Sequence, residues 1–325
     1  MTNSTLRPTR RNALGLIGAT LVLPQFAEAA ATRSIEGAAF GTTWQLVASH
    51  HDDLERLRAD IDALFAAIDQ QMSPWRSDSD ISRFNTMGAG WHRADAEMIH
   101  VATAALDLAK ISHGAFDPTV GPLVAQWGFG PIEGGPDPDW RGLSLGDGGI
   151  GKARDELTLD LCGIAKGRAL DLAVDLVKAR GVDDFLFDLG GELKAFGQHP
   201  SGRSFQVAVQ HPVVGKPAPA TLRLDDGMAV ATSGLSKQGY ELAGNTYGHI
   251  IAPRTNEPAN DHILSVTVVG RDAMIADGWA TALFAAGLSG GPDLAQSNNI
   301  DALFLTGEGA GISSVRTGAI EGALL

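Results

Sequence analysis

The sequence predicts one mixed α+β unit, with its site in a cleft, and three observations carry that prediction. Two long helical repeats come early, over residues 52–71 and 94–112. A strand–helix–strand pattern occupies the middle, and short strand candidates fill most of the second half. No heptads, internal repeat or clear linker divides the chain after its first segment.

That first segment is of different material. Arg7, Arg10 and Arg11 precede an apolar run from Ala13 to Phe26, followed by the small residues Ala27, Ala29, Ala30 and Ala31. This is the layout of a signal peptide. The run falls short of the roughly 20 residues a membrane-spanning helix needs, so cleavage near Ala29 is expected. The Arg10–Arg11 pair before a mildly hydrophobic stretch favours the twin-arginine export route. The expected organisation is therefore a signal peptide at 1–29 and one domain at 30–325, acting in the periplasm.

Residues 1–29 carry three arginines and one glutamate, a net +2, so their removal shifts the formal charge from −13 to −15. Nucleic acid is an improbable partner for such a chain, because phosphate backbones select basic surfaces. Cys162 is the one cysteine, which excludes an intramolecular disulfide.

The elements follow from periodicity. Residues 38–49 read as a strand. Over 52–71, Leu54, Leu57, Ile61, Leu64, Phe65 and Ile68 recur at helical spacing before Ser73-Pro74. Over 94–112, Met98, Val101, Ala105, Leu108 and Ile111 do the same, and Gly114 closes the helix. The Gly-, Pro- and Asp-rich stretch 128–151 reads as loop. Then come a strand at 156–161, a helix at 163–180 and a buried strand at 185–189. Further strands are expected at 205–209, 222–224, 229–232, 249–251, 263–269 and 302–306, with a helix at 276–286 stopped by Gly287.

Two motifs imitate function. Gly146 to Lys152 has P-loop spacing, but Ala153 stands where a magnesium-binding hydroxyl is required. Cys162 reads as a small buried residue at a strand end. None of the nine histidines sits in an H-x-x-x-H pair, so a zinc site is unsupported.

Four patches set glycines beside polar groups at element ends. Gly114 to Pro122, containing Asp117, reads by itself as turn and cap material. Asp160 to Gly167 runs from strand to helix. There, helix N–H groups and Lys166 suit an anion, while Asp160 as a cap and Lys166 as a solvated first-turn residue fit equally well. Tyr247 to Thr255 is a short apolar strand bounded by His249 and a Pro-Arg-Thr turn. Asp277 and Thr281, four apart at a helix start, share a face and present two hard oxygens suited to Mg²⁺; a plain cap and a small packing residue are the alternative.

Together these patches resemble the ApbE family of FAD:protein FMN transferases. The landmarks run from Gly41-Thr-Thr through Met72-Ser-Pro-Trp-Arg to Asn85, then Gly114 to Leu123 with Trp127-Gly-Phe-Gly130, and Asp160 to Gly167. Asp188-Leu-Gly-Gly-Glu192, His249 to Thr255 and Ala276 to Ala282 follow in the same order. The chain departs from the family's His-Ile-Ile-Asp-Pro-Arg-Thr-Gly by carrying Ala252 and Asn256 for that Asp and Gly.

The resemblance implies an FAD site lined by Phe40, Trp75, Ala115, Phe116, Asp117, Asp160, Lys166 and Ile251. It implies Mg²⁺ held by Asp277, Thr281 and a backbone carbonyl near Gly163. FAD would be the substrate and AMP the leaving group. The acceptor would be a Thr or Ser hydroxyl of an exported or membrane-anchored flavoprotein, deprotonated by His249 or, as second choice, Asp117. An export signal on such a body is similar to the NosX-type accessory proteins of nitrous oxide reduction. Hydrolysis of FAD to FMN and AMP, or flavin binding and delivery without catalysis, would use the same site.

Overall fold

The computed structural model describes residues 32–49, 52–213, 215–235, 239–242, 245–259, 262–308 and 311–325. The expected signal peptide lies outside them. The frame is an eight-stranded antiparallel sheet: β1 (Thr32–Ala39), β2 (Thr42–Ser49), β6 (Phe185–Leu189), β7 (Glu192–Phe196), β10 (Ala229–Gly234), β15 (Ile263–Gly270), β16 (Asp301–Glu308) and β17 (Gly311–Thr317). Its strands follow one another across the sheet in chain order. Every other element is an excursion from this meander, and the site forms where excursions meet.

The alternation along β6 shows how the sheet is buried on both faces. Phe185, Phe187 and Leu189 join Trp44, Leu46 and Phe65 under helices α1 (Glu55–Met72) and α5 (Ala165–Ala179). Leu186 faces the other way, with Ala195, Val230 and Leu305, under the hairpin of β8 (Phe205–Val209) and β9 (Ala220–Leu224). A further core joins helix α3 (Ala96–Ile111) to α6 (Ala273–Ser297) over β15 and β16. A small sheet of β3 (Gly90–Arg93), β4 (Leu143–Gly146) and β5 (Gly149–Lys152) flanks α3.

Several expectations are corrected. Residues 38–49 are two strands rather than one, because Phe40 (φ 51°) and Gly41 (φ 73°) turn the chain between β1 and β2. The glycines of the P-loop-like motif instead make the β4–β5 hairpin, with Gly148 at φ 76°. Segment 156–161, buried at Leu157, Thr158, Leu159 and Leu161, joins no sheet: Asn85 takes its neighbour's place, with Leu159 N–H donating to Oδ1 at 2.7 Å and Nδ2 donating to Leu159 O at 2.9 Å. Asn85 belongs to helix α2 (Asp80–Thr86), which is too short for periodicity to reveal.

The strand expected at 249–251 shrinks to β13 (Ile251–Ala252), paired with β14 (Glu257–Pro258), and His249 precedes it. Before it comes the hairpin of β11 (Gly239–Leu242) and β12 (Asn245–Gly248). The Gly-rich turn after Thr119 continues as helix α4 (Gly121–Gln126). Helix α6 begins at Ala273, capped by Asp272, whose side chain accepts Ile275 N–H at 2.9 Å. Asp277 is therefore one turn inside the helix rather than at its start. Gly287, at φ 75° and ψ 177°, kinks the helix, which resumes as far as Ser297.

Candidate active site

Helix α5 enters with no cap of its own: Ile164 occupies the N-cap and offers no side-chain acceptor. Orphan N–H groups at a helix start require partners. One is Asp277, 5% exposed on α6, whose Oδ2 accepts Gly167 N–H at 2.9 Å. One turn further on, Thr281 Oγ1 donates to Gly163 O at 3.4 Å and lies 3.3 Å from Ser233 Oγ. The expected metal group of Gly163, Asp277 and Thr281 thus gathers along one face of α6. Its donors are a carboxylate, a hydroxyl and a backbone carbonyl, all hard oxygens, and this set fits Mg²⁺ completed by water and phosphate.

The contact is tight at Gly163 and admits only glycine at Gly167. A Cβ on Gly163 would lie 3.1 Å from Phe116 Cε2 and 3.2 Å from Thr281 Cγ2. On Gly167 it would lie 2.2 Å from Ala273 O, backbone that cannot yield. The two helices approach this closely because these positions carry no side chain.

Lys166 stands beside this group. Its ammonium pairs with Glu192 at 2.6 Å; the Lys166 side chain is 26% exposed and that of Glu192 only 2%. Burial works against the charge, but Glu192, Asp277 and Asp188 outweigh it and raise the lysine's pKa. Lys166 is thus a fixed cation that stays partly open to solvent. Glu192 was named by the sequence only as part of a landmark; its signal was its place after Gly190-Gly191 at the end of a buried strand. The same turn meets the β1–β2 corner: Gly190 N–H donates to Thr43 O at 2.9 Å, which brings Phe40, packed edge-on to Phe65 at 5.4 Å, to this side of the molecule.

Opposite lies the 114–123 loop. Asp160 N–H donates to Pro118 O at 2.7 Å, and Asp160 Oδ1 accepts Cys162 N–H at 2.9 Å. Burial raises the Asp160 pKa against that hydrogen bond. Cys162 is exposed in the turn before α5, not buried at a strand end.

Ala115 and Phe116 are buried, and Asp117 is committed to the loop itself. Its Oδ1 accepts Thr119 N–H at 2.8 Å and Thr119 Oγ1–H at 2.6 Å; Oδ2 accepts Trp140 N–H at 3.4 Å. Thr119 Oγ1 in turn accepts Asp139 N–H at 2.7 Å. Burial nevertheless raises the Asp117 pKa. With both oxygens engaged, Asp117 braces two loops.

The segments around 127–129 and 240–249 bring aromatic rings together. Trp127, Tyr247, Tyr240 and Phe129 stack in sequence with centroids 5.6, 5.5 and 5.3 Å apart, and His249 meets Phe129 edge-on at 6.5 Å. Ile251 is buried beside them. Asn256 holds the turn below: its carbonyl accepts Trp127 Nε1–H at 3.0 Å, and its Nδ2 donates to Asp137 at 3.2 Å. Its φ of 60° is the left-handed conformation that glycine favours and asparagine tolerates best among other residues. Ala252 keeps the turn with its backbone, accepting Thr255 N–H at 3.1 Å and Asn256 N–H at 2.9 Å. Trp75, at the corner between α1 and α2, is 62% exposed, an unusual position for so large an apolar ring.

Residues 40–304 match the model of the ApbE family. The FAD:protein FMN transferase of Vibrio cholerae serotype O1 is 32% identical over 313 residues, covering 91% of this chain and 93% of that protein. The solved flavin transferase ApbE from Vibrio cholerae superposes with a TM-score of 0.81 at 30% identity, over 90% of this chain and 99% of that one. The apo form of Pseudomonas stutzeri flavinyl transferase ApbE gives 0.81 at 34% identity, over 90% and 96%. With this match in sequence and in fold along nearly its whole described length, the chain belongs to the ApbE family.

Proposed function

We propose that this chain transfers the FMN half of FAD to a Thr or Ser hydroxyl of another protein and releases AMP. The observation that carries the reading is the oxygen cluster of Asp277, Thr281 and Gly163 beside the fixed ammonium of Lys166, at the N-terminus of α5. A pyrophosphate carries two negative charges, and a helix start with a lysine in its first turn attracts them. Mg²⁺ held by those three oxygens would supply the positive charge that offsets the leaving phosphate.

The chain's own residues supply the rest. The acceptor oxygen attacks the FMN phosphorus, the bond from that phosphorus to the bridging oxygen breaks, and AMP leaves with the bridging oxygen. His249 takes the hydroxyl proton, since an imidazole titrates near neutrality. Lys166, kept charged by Glu192, pairs with the phosphates throughout. Trp75 offers an exposed ring on which a flat flavin or adenine stacks. The amino-terminal segment supports export by the twin-arginine route, so the acceptor is an exported or membrane-anchored flavoprotein.

The test incubates the mature protein with FAD, Mg²⁺ and a purified flavoprotein domain bearing an acceptor Thr. AMP release is followed along with flavin fluorescence on a denaturing gel. A fluorescent acceptor band that EDTA abolishes is expected. AMP without a band would replace transfer by hydrolysis, and bound FAD with neither would leave a carrier.

A further inference from the structure

Helices α5 and α6 meet rung by rung. Gly163, in the turn leading into α5, faces Thr281, Gly167 faces Asp277 and Asp171 faces Ala273, so the rungs are four residues apart on each side and run in opposite directions. Four residues are about one turn of helix. The third rung mirrors the second: Asp171 Oδ1 accepts Ala273 N–H at 3.1 Å and Oδ2 accepts Met274 N–H at 3.0 Å. Asp277 of α6 therefore caps α5, and Asp171 of α5 caps α6. Asp171 is buried, and Lys194 of β7 pairs with its Oδ1 at 2.5 Å, fixing the carboxylate from the sheet side.

We propose that the Asp171–Lys194 pair is the positioning device of this site: it sets the register of α6 on α5 and thereby places Asp277 and Thr281 opposite Gly167 and Gly163. Asp171 touches neither FAD nor the metal site. It acts through two amides at the start of the helix that carries both side-chain ligands. Asp272 alone, accepting Ile275 N–H, caps α6 locally but does not tie it to α5. The close glycine contacts leave one seating for the helices, and the reciprocal caps select it. The inference rests on the proposed metal role only in its kinetic consequence.

The experiment compares full-length wild type with Asp171→Asn and Lys194→Met. Amide hydrogen exchange at Gly167 and Met274 and the Mg²⁺ dependence of AMP release are measured. Asp171→Asn places an NH₂ group against an N–H donor, and exchange at Gly167 should quicken about tenfold while β15 and β16 keep their protection. The half-saturating Mg²⁺ concentration should rise about tenfold or more, with kcat at saturating Mg²⁺ changing much less. Lys194→Met, which keeps the capping carboxylate, should shift both in the same direction but less, and serves if Asp171→Asn does not fold. Quickened exchange at Met274 with Gly167 unaffected in both variants would overturn the proposal. A wild type indifferent to Mg²⁺ would remove the metal reading, while the exchange at Gly167 would still decide the register.

Discussion

Asp277 gives one carboxylate oxygen to the amide of Gly167, 110 positions away in sequence, and so closes the first turn of a helix to which it does not belong. One side chain thereby joins the stability of the fold to the chemistry of the site. Replacing Asp277 with Ala should reduce AMP release roughly 10²-fold or more through loss of the charged ligand. It should also lower unfolding free energy by about 0.5–2 kcal/mol through loss of the cap. Steady-state kinetics and urea denaturation of the same preparation measure the two effects separately.

Gly167→Ala tests the contact between the helices. The new methyl would lie 2.2 Å from a backbone oxygen and 2.8 Å from Asp277 Cβ, so the helices must move apart. An overpacking cost of about 1–3 kcal/mol is expected in the denaturation midpoint, despite alanine's better helix propensity. An unchanged or raised midpoint would contradict the packing described.

Lys166 carries the pH dependence. Its pKa is raised in the fold, so the stabilisation from its charge is present in full below the unfolded value near 10.4 and disappears as pH rises through the higher folded value. Stability of the wild type should thus fall in the alkaline range relative to a Lys166→Met, Glu192→Gln double variant. The single variant Lys166→Met removes the ammonium from beside the buried Glu192 carboxylate, and should lose about 2 kcal/mol or more at pH 7. Thermal midpoints across pH for the three proteins provide the comparison.

Asn256 predicts a backbone effect. Its left-handed φ is available to glycine, so Asn256→Gly should shift stability by less than about 1 kcal/mol. Asn256→Val should cost about 1–2 kcal/mol or more, and it removes the bond to Asp137 as well. Circular dichroism melts distinguish the two.

Much of this was legible in the chain because repeated patterns record local physics. The long helices, the buried strand Phe185–Leu189 and the hard-oxygen pair of Asp277 and Thr281 all declare themselves by spacing. What stayed hidden depends on partners distant in sequence. Nothing local to Asp171 says that it caps a helix beginning at Ala273, and nothing local to Asp277 says that the cap of its own helix is Asp272. Asp117 reads as turn and cap material, but nothing local says that its oxygens serve Thr119 and the distant Trp140. Strand β17, with a mostly exposed face, lacks the apolar alternation that betrays its neighbours.

Asn85 stands where a neighbouring strand would stand, its amide answering both the N–H and the carbonyl of Leu159, immediately before Asp160. A strand in a ladder is held by many bonds, and losing one changes little. Here one side chain makes both backbone bonds of Leu159, so one substitution at position 85 can loosen the segment that leads into Asp160 while every rung of the eight-stranded sheet stays closed.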